Sequence, residues 1–394
     1  MRSSCRQAVL SGMAGVATCL LGVVSLPGQA PEKPLPEKPM MAEAVFKNVQ
    51  VLKGIPVNEF MGTMGFFSAS LGLNCVFCHV TESMENWAKF AEDVPRKRIT
   101  RTMIAMVNNI NRTNFGGRPM VTCYSCHRGG ERPKVIPSLA DQYSVPAEDP
   151  NEVEIVRTAE PGPSAEQILD KYIQASGGAG PLSALTSVTG KGTYEGYETY
   201  HEKVPVELYA QAPAQLTTIV HTQNGDSTTV FNGSAGWTAA PEKPVPLLAM
   251  TAGAELDGAK LDAELLFPAR IKLALSAWRT GFPVTLIDDK EARVIQGIGA
   301  GNTRVKLYFD AASGLLLRQV RYAQTVVGIN PTQIDYADYR DVAGVKLPFR
   351  TTVTWTNGQS IVEFSELRAN VAVAAARFAK PAPAVVAPAK SVAK

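Results

Sequence analysis

Apolar residues along the first third of the chain recur at helical spacing. Val45, Val49 and Leu52 share one face of a short helix. After a break at Gly54 and Pro56, Phe60, Met64, Phe67 and Leu71 form one stripe along a second helix. Asn58 is its natural N-cap and Gly72 its stop. A matching stripe of Ile99, Met103, Met106 and Ile110 follows Pro95 and ends at Phe115-Gly116-Gly117. Ser164 and Gln167 make a capping box for a helix through about Ala175, closed by Gly177, Gly178 and Gly180. Beyond this point the period changes to alternation. Strands are expected at Ser187–Tyr194, Pro205–Ala210, Leu216–Thr222, Ser227–Asn232, Ala292–Gly297, Thr303–Asp310, Leu315–Thr325, Gln333–Arg340, Lys346–Trp355 and Ser360–Arg368. Asn224-Gly225, Ser313-Gly314 and Asn357-Gly358 supply hairpin turns, and 253–278 reads as helix again.

The pattern predicts a multi-domain chain, a small all-α domain followed by an α+β domain with a curved antiparallel sheet. A length of 394 residues suits about two domains. The boundaries fall at composition changes. A proline-rich spacer covers 31–44, the helical domain 45–140, an acidic, proline-spaced linker 141–163, the sheet domain 164–379 and a disordered tail 380–394. Residues 1–30 pair Arg2 and Arg6 with an apolar stretch from about Ala8 to Leu26, the layout of an export signal. That stretch is at the lower edge of spanning length, so an uncleaved membrane anchor is the alternative. A lipoprotein cleavage site at Cys19 is a third reading. Against it stand Thr18, where a smaller residue is expected, and the apolar run beyond the cysteine. Net charge is +3 with no basic tract, which excludes nucleic acid as a partner class.

Cysteine placement carries the chemistry. Four of six cysteines lie in Cys75-Val-Phe-Cys78-His79 and Cys123-Tyr-Ser-Cys126-His127, and two of the four histidines close these motifs. Cys-x-x-Cys-His is the attachment signature of c-type haem. Two thiols one turn apart add to the porphyrin vinyl groups, and the adjacent imidazole lies under the iron. Each signature follows a methionine-bearing helix, and a thioether is the usual opposite ligand in electron-transfer cytochromes. Spacing leaves Met61 and Met64 open on the first helix, with Met61 better explained by packing, and leaves Met103 and Met106 open on the second. The expectation is two covalently bound haem c groups in an exported, periplasmic protein. Cytoplasmic attachment is excluded in bacteria, and this agrees with the leader.

Other readings carry less. Two Cys-x-x-Cys pairs can bind zinc, but an export segment and a histidine after both pairs argue against it. His201 and His221 read as surface histidines, and Asp335, Asp338 and Asp341 as turn and edge carboxylates. Arg96, Lys97, Arg98 and Arg101 read as a solvated helix face, with haem propionates or an acidic partner as the alternative. No nucleophile–base constellation or phosphate loop is present, so the chain is read as an electron-transfer protein and not an enzyme. A peroxidase-like haem enzyme with one open iron site is the rival, and a lipid- or partner-binding module with an accessory haem domain is another.

The stretches Asn58-Glu-Phe-Met-Gly-Thr-Met64, Asn74 to His79, Thr100 to Asn111 and Val121 to Gly129 resemble the cytochrome subunit of photosynthetic reaction centres, over about residues 46–130. The resemblance implies that Met64 and His79 hold one iron and Met103 and His127 the other, with redox proteins as partners. The chain departs from that family in having two signatures where the subunit carries four haems, and Val107 to Val121 contains no histidine. That puts a photosynthetic role in doubt. Val305 to Asp310, Ser313 to Arg318 and Asp335 to Gly344 faintly resemble periplasmic lipoprotein-sorting carriers, which shelter acyl chains.

Overall fold

The computed structural model describes residues 37–139, 162–281, 285–299 and 301–385. The expected export segment, residues 31–36 of the spacer, nearly all of the linker and the tail from 386 onward lie outside the described residues.

The helical part comprises α1 (Ala42–Val45), α2 (Val57–Leu71), α3 (Cys75–Cys78), two short 3-10 turns at Thr81–Met84 and Trp87–Ala91, α4 (Pro95–Phe115) and α5 (Cys123–His127). Both long helices end as their glycines predict, with Gly72 at φ 64° and Gly116 at φ 61°. Two local expectations fail. The helix expected over Val45, Val49 and Leu52 does not form: α1 ends at Val45 with Phe46 already extended, and Asn48 beyond it takes a left-handed conformation and donates its Nδ2 to the Ala91 carbonyl at 2.7 Å. Helix α2 starts one residue before Asn58, after Pro56, and the Asn58 amide reaches away from the helix end to Glu255.

Helix α6 (Ala165–Ala175) opens on the expected Ser164–Gln167 capping box and leads through α7 (Ala179–Ala184) into the sheet. The sheet has 14 strands: β1 (Ser187–Gly196), β2 (Val204–Gln211), β3 (Gln215–Thr222), β4 (Gly225–Phe231), β5 (Gly236–Ala239), β6 (Leu247–Ala249), β7 (Ser276–Thr280), β8 (Thr285–Ile287), β9 (Lys290–Ile298), β10 (Arg304–Asp310), β11 (Leu316–Thr325), β12 (Gly328–Val342), β13 (Val345–Trp355) and β14 (Gly358–Ala369). Among the described residues all pairings are antiparallel, in the order β6-β5-β4-β3-β2-β1-β14-β13-β12-β11-β10-β9-β7, with β8 on β9. Two meanders are thus joined where β1 meets β14, Val188 facing Ala369. Strands β5 to β8 are too short to show alternation. The helix expected over 253–278 ends early: α8 (Ala254–Leu265) gives way to a 3-10 turn at Pro268, then α9 (Ile271–Ala274), and Trp278 lies in β7.

Helices α6, α8 and α9 cover one face of the sheet. Ile168, Leu169, Tyr172, Leu261, Leu265 and Ile271 pack on Ile295, Val305, Leu307, Phe309 and Leu316. Strand β10 is buried on both faces, since Tyr308 and Lys306 on its reverse are also covered. A separate small core of Ala42, Leu52 and Ile55, flanked by Phe46, Phe60, Met64 and Phe67, serves the helical part. The beginning of the expected tail is held. Lys380 pairs with Glu37 at 2.6 Å, and the Ala384 amide donates to the Pro246 carbonyl.

Glu264 on α8 is 6% exposed, and its Oε2 is buried without a partner. Burial pushes its carboxyl above the ordinary range, against the opposing pull of Lys260 and Arg270. A carboxyl with a raised folded-state pKa favours folding most when protonated, and that contribution is lost as pH rises. Glu264→Gln is therefore expected to be more stable than the parent at pH 7, with no advantage below about pH 4. Urea melts across that range check it.

Candidate functional site

Each signature folds as a single helical turn. Asn74 is extended before α3, and one turn sets Cys75 and Cys78 on the same side, with His79 leaving in an extended conformation. The α5 turn is fixed more firmly, because Thr122 and Ser125 form a capping box across its start. Cys75, Cys78, Cys123 and Cys126 are all free thiols. Burial pushes the Cys78 thiol up, with the Thr100 hydroxyl and the Arg96 guanidinium opposing, and burial also raises Cys123. Among the described residues no three His, Cys, Asp or Glu side chains converge on one metal position, so the cysteines stand as two separate pairs.

The two imidazoles are prepared differently. His127 Nδ1 lies 3.1 Å from the Gly130 carbonyl. A carbonyl only accepts, so Nδ1 carries the proton and the lone pair is left on Nε2, the arrangement of a metal-binding histidine. The His79 ring stands edge-on to Phe90, centroids 4.9 Å apart, and its Nδ1 is buried without a partner. Burial holds its pKa below the ordinary value, and the Lys97 ammonium adds to this, so the ring is neutral and able to donate a lone pair. These residues fit a c-type haem at both turns.

The methionine helices cross over. Helix α2 contacts α5, and α4 contacts α3, so each long helix packs against the other repeat's signature. At one crossing the Gly129 amide donates to the Ser70 carbonyl at 2.9 Å. At the other, the Arg96 guanidinium lies 3.5 Å above the Phe77 ring. The basic cluster is therefore not simply a solvated face. Lys97 donates to the Phe90 carbonyl at 2.7 Å, and Arg101 pairs with Asp93 at 2.8 Å and reaches the Asn48 carbonyl. Three of the four cations brace the loop that carries His79.

The apolar stripe of α4 is turned the opposite way from an ordinary core helix. Ile104, Val107 and Asn111 are its buried residues, whereas Ile99, Met103 and Met106 are 59%, 36% and 45% exposed. A stripe of that kind needs a cover, and a flat apolar group is one. Met64 is half-buried beside Phe46, Phe60 and Phe67, and Met61 is 37% exposed.

Residues 24–152 match the family of the photosynthetic reaction centre cytochrome c subunit. The reaction centre cytochrome c subunit of Thermochromatium tepidum is 38% identical over 97 residues, which cover 24% of this chain and 23% of that protein. The subunit of Rubrivivax gelatinosus is 34% identical over 99 residues, 24% of this chain and 25% of its own length. The chain thus spans about a quarter of the curated relatives it matches. The carboxy-terminal part aligns with a LolA superfamily protein of Nitrosomonas europaea at 13% identity and a TM-score of 0.37, covering 56% of this chain and 99% of the other. A putative outer membrane lipoprotein-sorting domain of Vibrio parahaemolyticus aligns at 10% identity and 0.38, covering 54% and 97%.

Several side chains take roles that spacing did not reveal. Tyr197, from the turn after β1, is close enough to Cys75 for that thiol to raise its phenol pKa, second to burial. His221 pairs with Asp226 at 2.7 Å, and Asp335 pairs with Arg318 within the sheet and is not a turn carboxylate. Asn111 brackets the return to Cys123. Its Nδ2 donates to the Val121 carbonyl at 2.7 Å, and its Oδ1 accepts from the Val121 amide at 2.9 Å. An asparagine at the end of a helical stripe could have signalled this, since its amide can replace a backbone partner. Asn111→Ala strands both Val121 groups and is expected to cost about 1–3 kcal/mol. Thermal melts check the stability, and mass spectrometry of the Cys123 peptide should find incomplete haem attachment.

Proposed function

We propose that this chain is an exported dihaem c-type cytochrome that carries single electrons between periplasmic or membrane-bound redox proteins. The observation that carries the reading is the pair of signature turns crossed by two methionine helices, one of which leaves its apolar stripe uncovered. Cys75 and Cys78 would hold one porphyrin and Cys123 and Cys126 the other. His79 with Met64, and His127 with Met103, would supply the axial ligands. The haem, when bound, supplies the redox chemistry. The protein orients the imidazoles, the Gly130 carbonyl fixing the tautomer at His127, and covers the rings with apolar side chains.

In this reading 45–140 form the haem domain, 164–379 the sheet domain and 141–163 the link. Export, and any membrane attachment, would reside in residues 1–30. Among the described residues no helix is long and apolar enough to cross a membrane. The cleft between α8 and the sheet encloses only about 20 Å³, room for about one water, and Asp257, Lys260, Glu264 and Arg321 in its lining are a poor match for the acyl chains of a lipid-binding module.

Denatured protein in alkaline pyridine is expected to give a c-type spectrum at two haems per chain. A lower ratio, or haem extractable by acidic solvent, would count against the reading. Of the two methionines on α4, Met103→Leu should keep covalent haem but lower one potential and abolish that haem's thioether-to-iron charge-transfer band. Met106→Leu should leave both nearly unchanged. Reversal of the two phenotypes would move the ligand by one turn.

A further inference from the structure

Helix α2 is gripped on the face opposite Met64. At 3.6 residues per turn, Asn58, Gly62, Gly65 and Phe66 fall on one side, and Phe60, Met64, Phe67 and Leu71 on the other. Each member of the first set meets the sheet part of the molecule. The Asn58 amide bonds to the Glu255 carboxylate, which is itself held by the Thr251 amide at 2.8 Å and hydroxyl at 3.0 Å. Asn330 on β12, 8% exposed, donates its Nδ2 to the Gly62 carbonyl at 2.8 Å. A Cβ at Gly65 would lie 2.7 Å from Thr356 Oγ1 and 2.9 Å from Asn357 Oδ1, in the β13–β14 turn. The Phe66 ring lies against Gly328, where any side chain would strike it. Gly328 in turn sits in the β11–β12 turn, fastened at both its amide and its carbonyl by the Thr325 hydroxyl.

We propose that this clamp, centred on Asn330, sets the rotation of α2 and so aims the Met64 thioether, making Asn330 a positioning residue for the axial ligand of the first haem. The proposal rests on the assignment of Met64 as that ligand. A side-chain tip lies about 5–6 Å from a helix axis, so a roll of about 20° displaces it by about 2 Å. That displacement exceeds what an iron–sulfur bond can absorb. Small residues at 62 and 65 admit the sheet turns so closely that such a roll meets backbone and side-chain atoms. Asn330 keeps its Nδ2 on Gly62 although its Oδ1 is buried without a partner. A flipped amide would set oxygen against the Gly62 carbonyl, so the orientation is fixed by α2 itself. The sheet domain thereby acts as the frame for one haem's potential.

The test is a spectroelectrochemical titration of the full chain, in which the two haems give two one-electron steps. Asn330→Ala and Gly328→Ala should lower the step that Met64→Leu lowers and weaken the thioether charge-transfer band, with two covalent haems retained and the other step unmoved. Ile295→Val, a substitution in the sheet core beneath α6 and α8, should move neither step. The proposal is overturned if Asn330→Ala leaves the steps and the band at parent values, or if Ile295→Val shifts the same step as far. Should Gly328→Ala fail to fold, Asn330→Ala, which adds no atoms, still decides. If Met64→Leu itself moves neither step, the ligand assignment falls, and the proposal with it. Absence of covalent haem from the parent protein would instead overturn the cytochrome reading.

Discussion

A single fifteen-residue helix, Val57–Leu71, is packed on two sides at once, and the rest of the molecule is arranged around that demand. One side meets hairpin turns of the sheet through glycines and a buried asparagine amide. The other carries Phe60, Met64 and Phe67 into a small apolar core with Ala42, Leu52 and Ile55. Close packing on both sides leaves no freedom of roll. Thr63, fully buried, satisfies its own hydroxyl at the Glu59 carbonyl and so adds no polar cost to the contact.

The helical part alone has little core. Its buried apolar side chains are few, and large ones such as Ile99, Met106 and Trp87 stay exposed. It is held together by specific polar braces: Arg101 on Asp93, Lys97 on the Phe90 carbonyl, and Asn111 on Val121. Most of these fasten the loops that carry the histidines and cysteines. The crossing of each long helix over the other repeat's signature binds the two repeats into one body, so that neither signature is placed by its own helix alone.

The sheet part is built the other way, with an extensive core and fewer chemical groups. Strand β10 is covered on both faces, and three helices bury Leu307 and Phe309 completely or nearly so. Truncating such a side chain costs about 2–5 kcal/mol, more than any surface ion pair here supplies. A rigid support of that kind is suited to holding a neighbouring helix in register.

The sequence by itself determined what is local. Cys-x-x-Cys-His specifies its chemistry within five residues, Gly72 and Gly116 stop their helices through their own backbone freedom, and Ser164 with Gln167 starts another. Strands of seven or more residues betray themselves by alternation, whereas β5, β6 and β8 are too short for a period to be counted. Only the tertiary structure decided which face of each helix is covered. Ile99, Met103 and Met106 form a hydrophobic stripe by spacing, yet Ile104 and Val107 are the residues that the chain buries, because periodicity reports a face and not its partner. Asn58 has the chemistry of a cap and became a cross-link, and Asn330 lies 268 residues from the carbonyl it holds. Contacts of that separation leave no trace in spacing, since they depend on how independently formed elements dock.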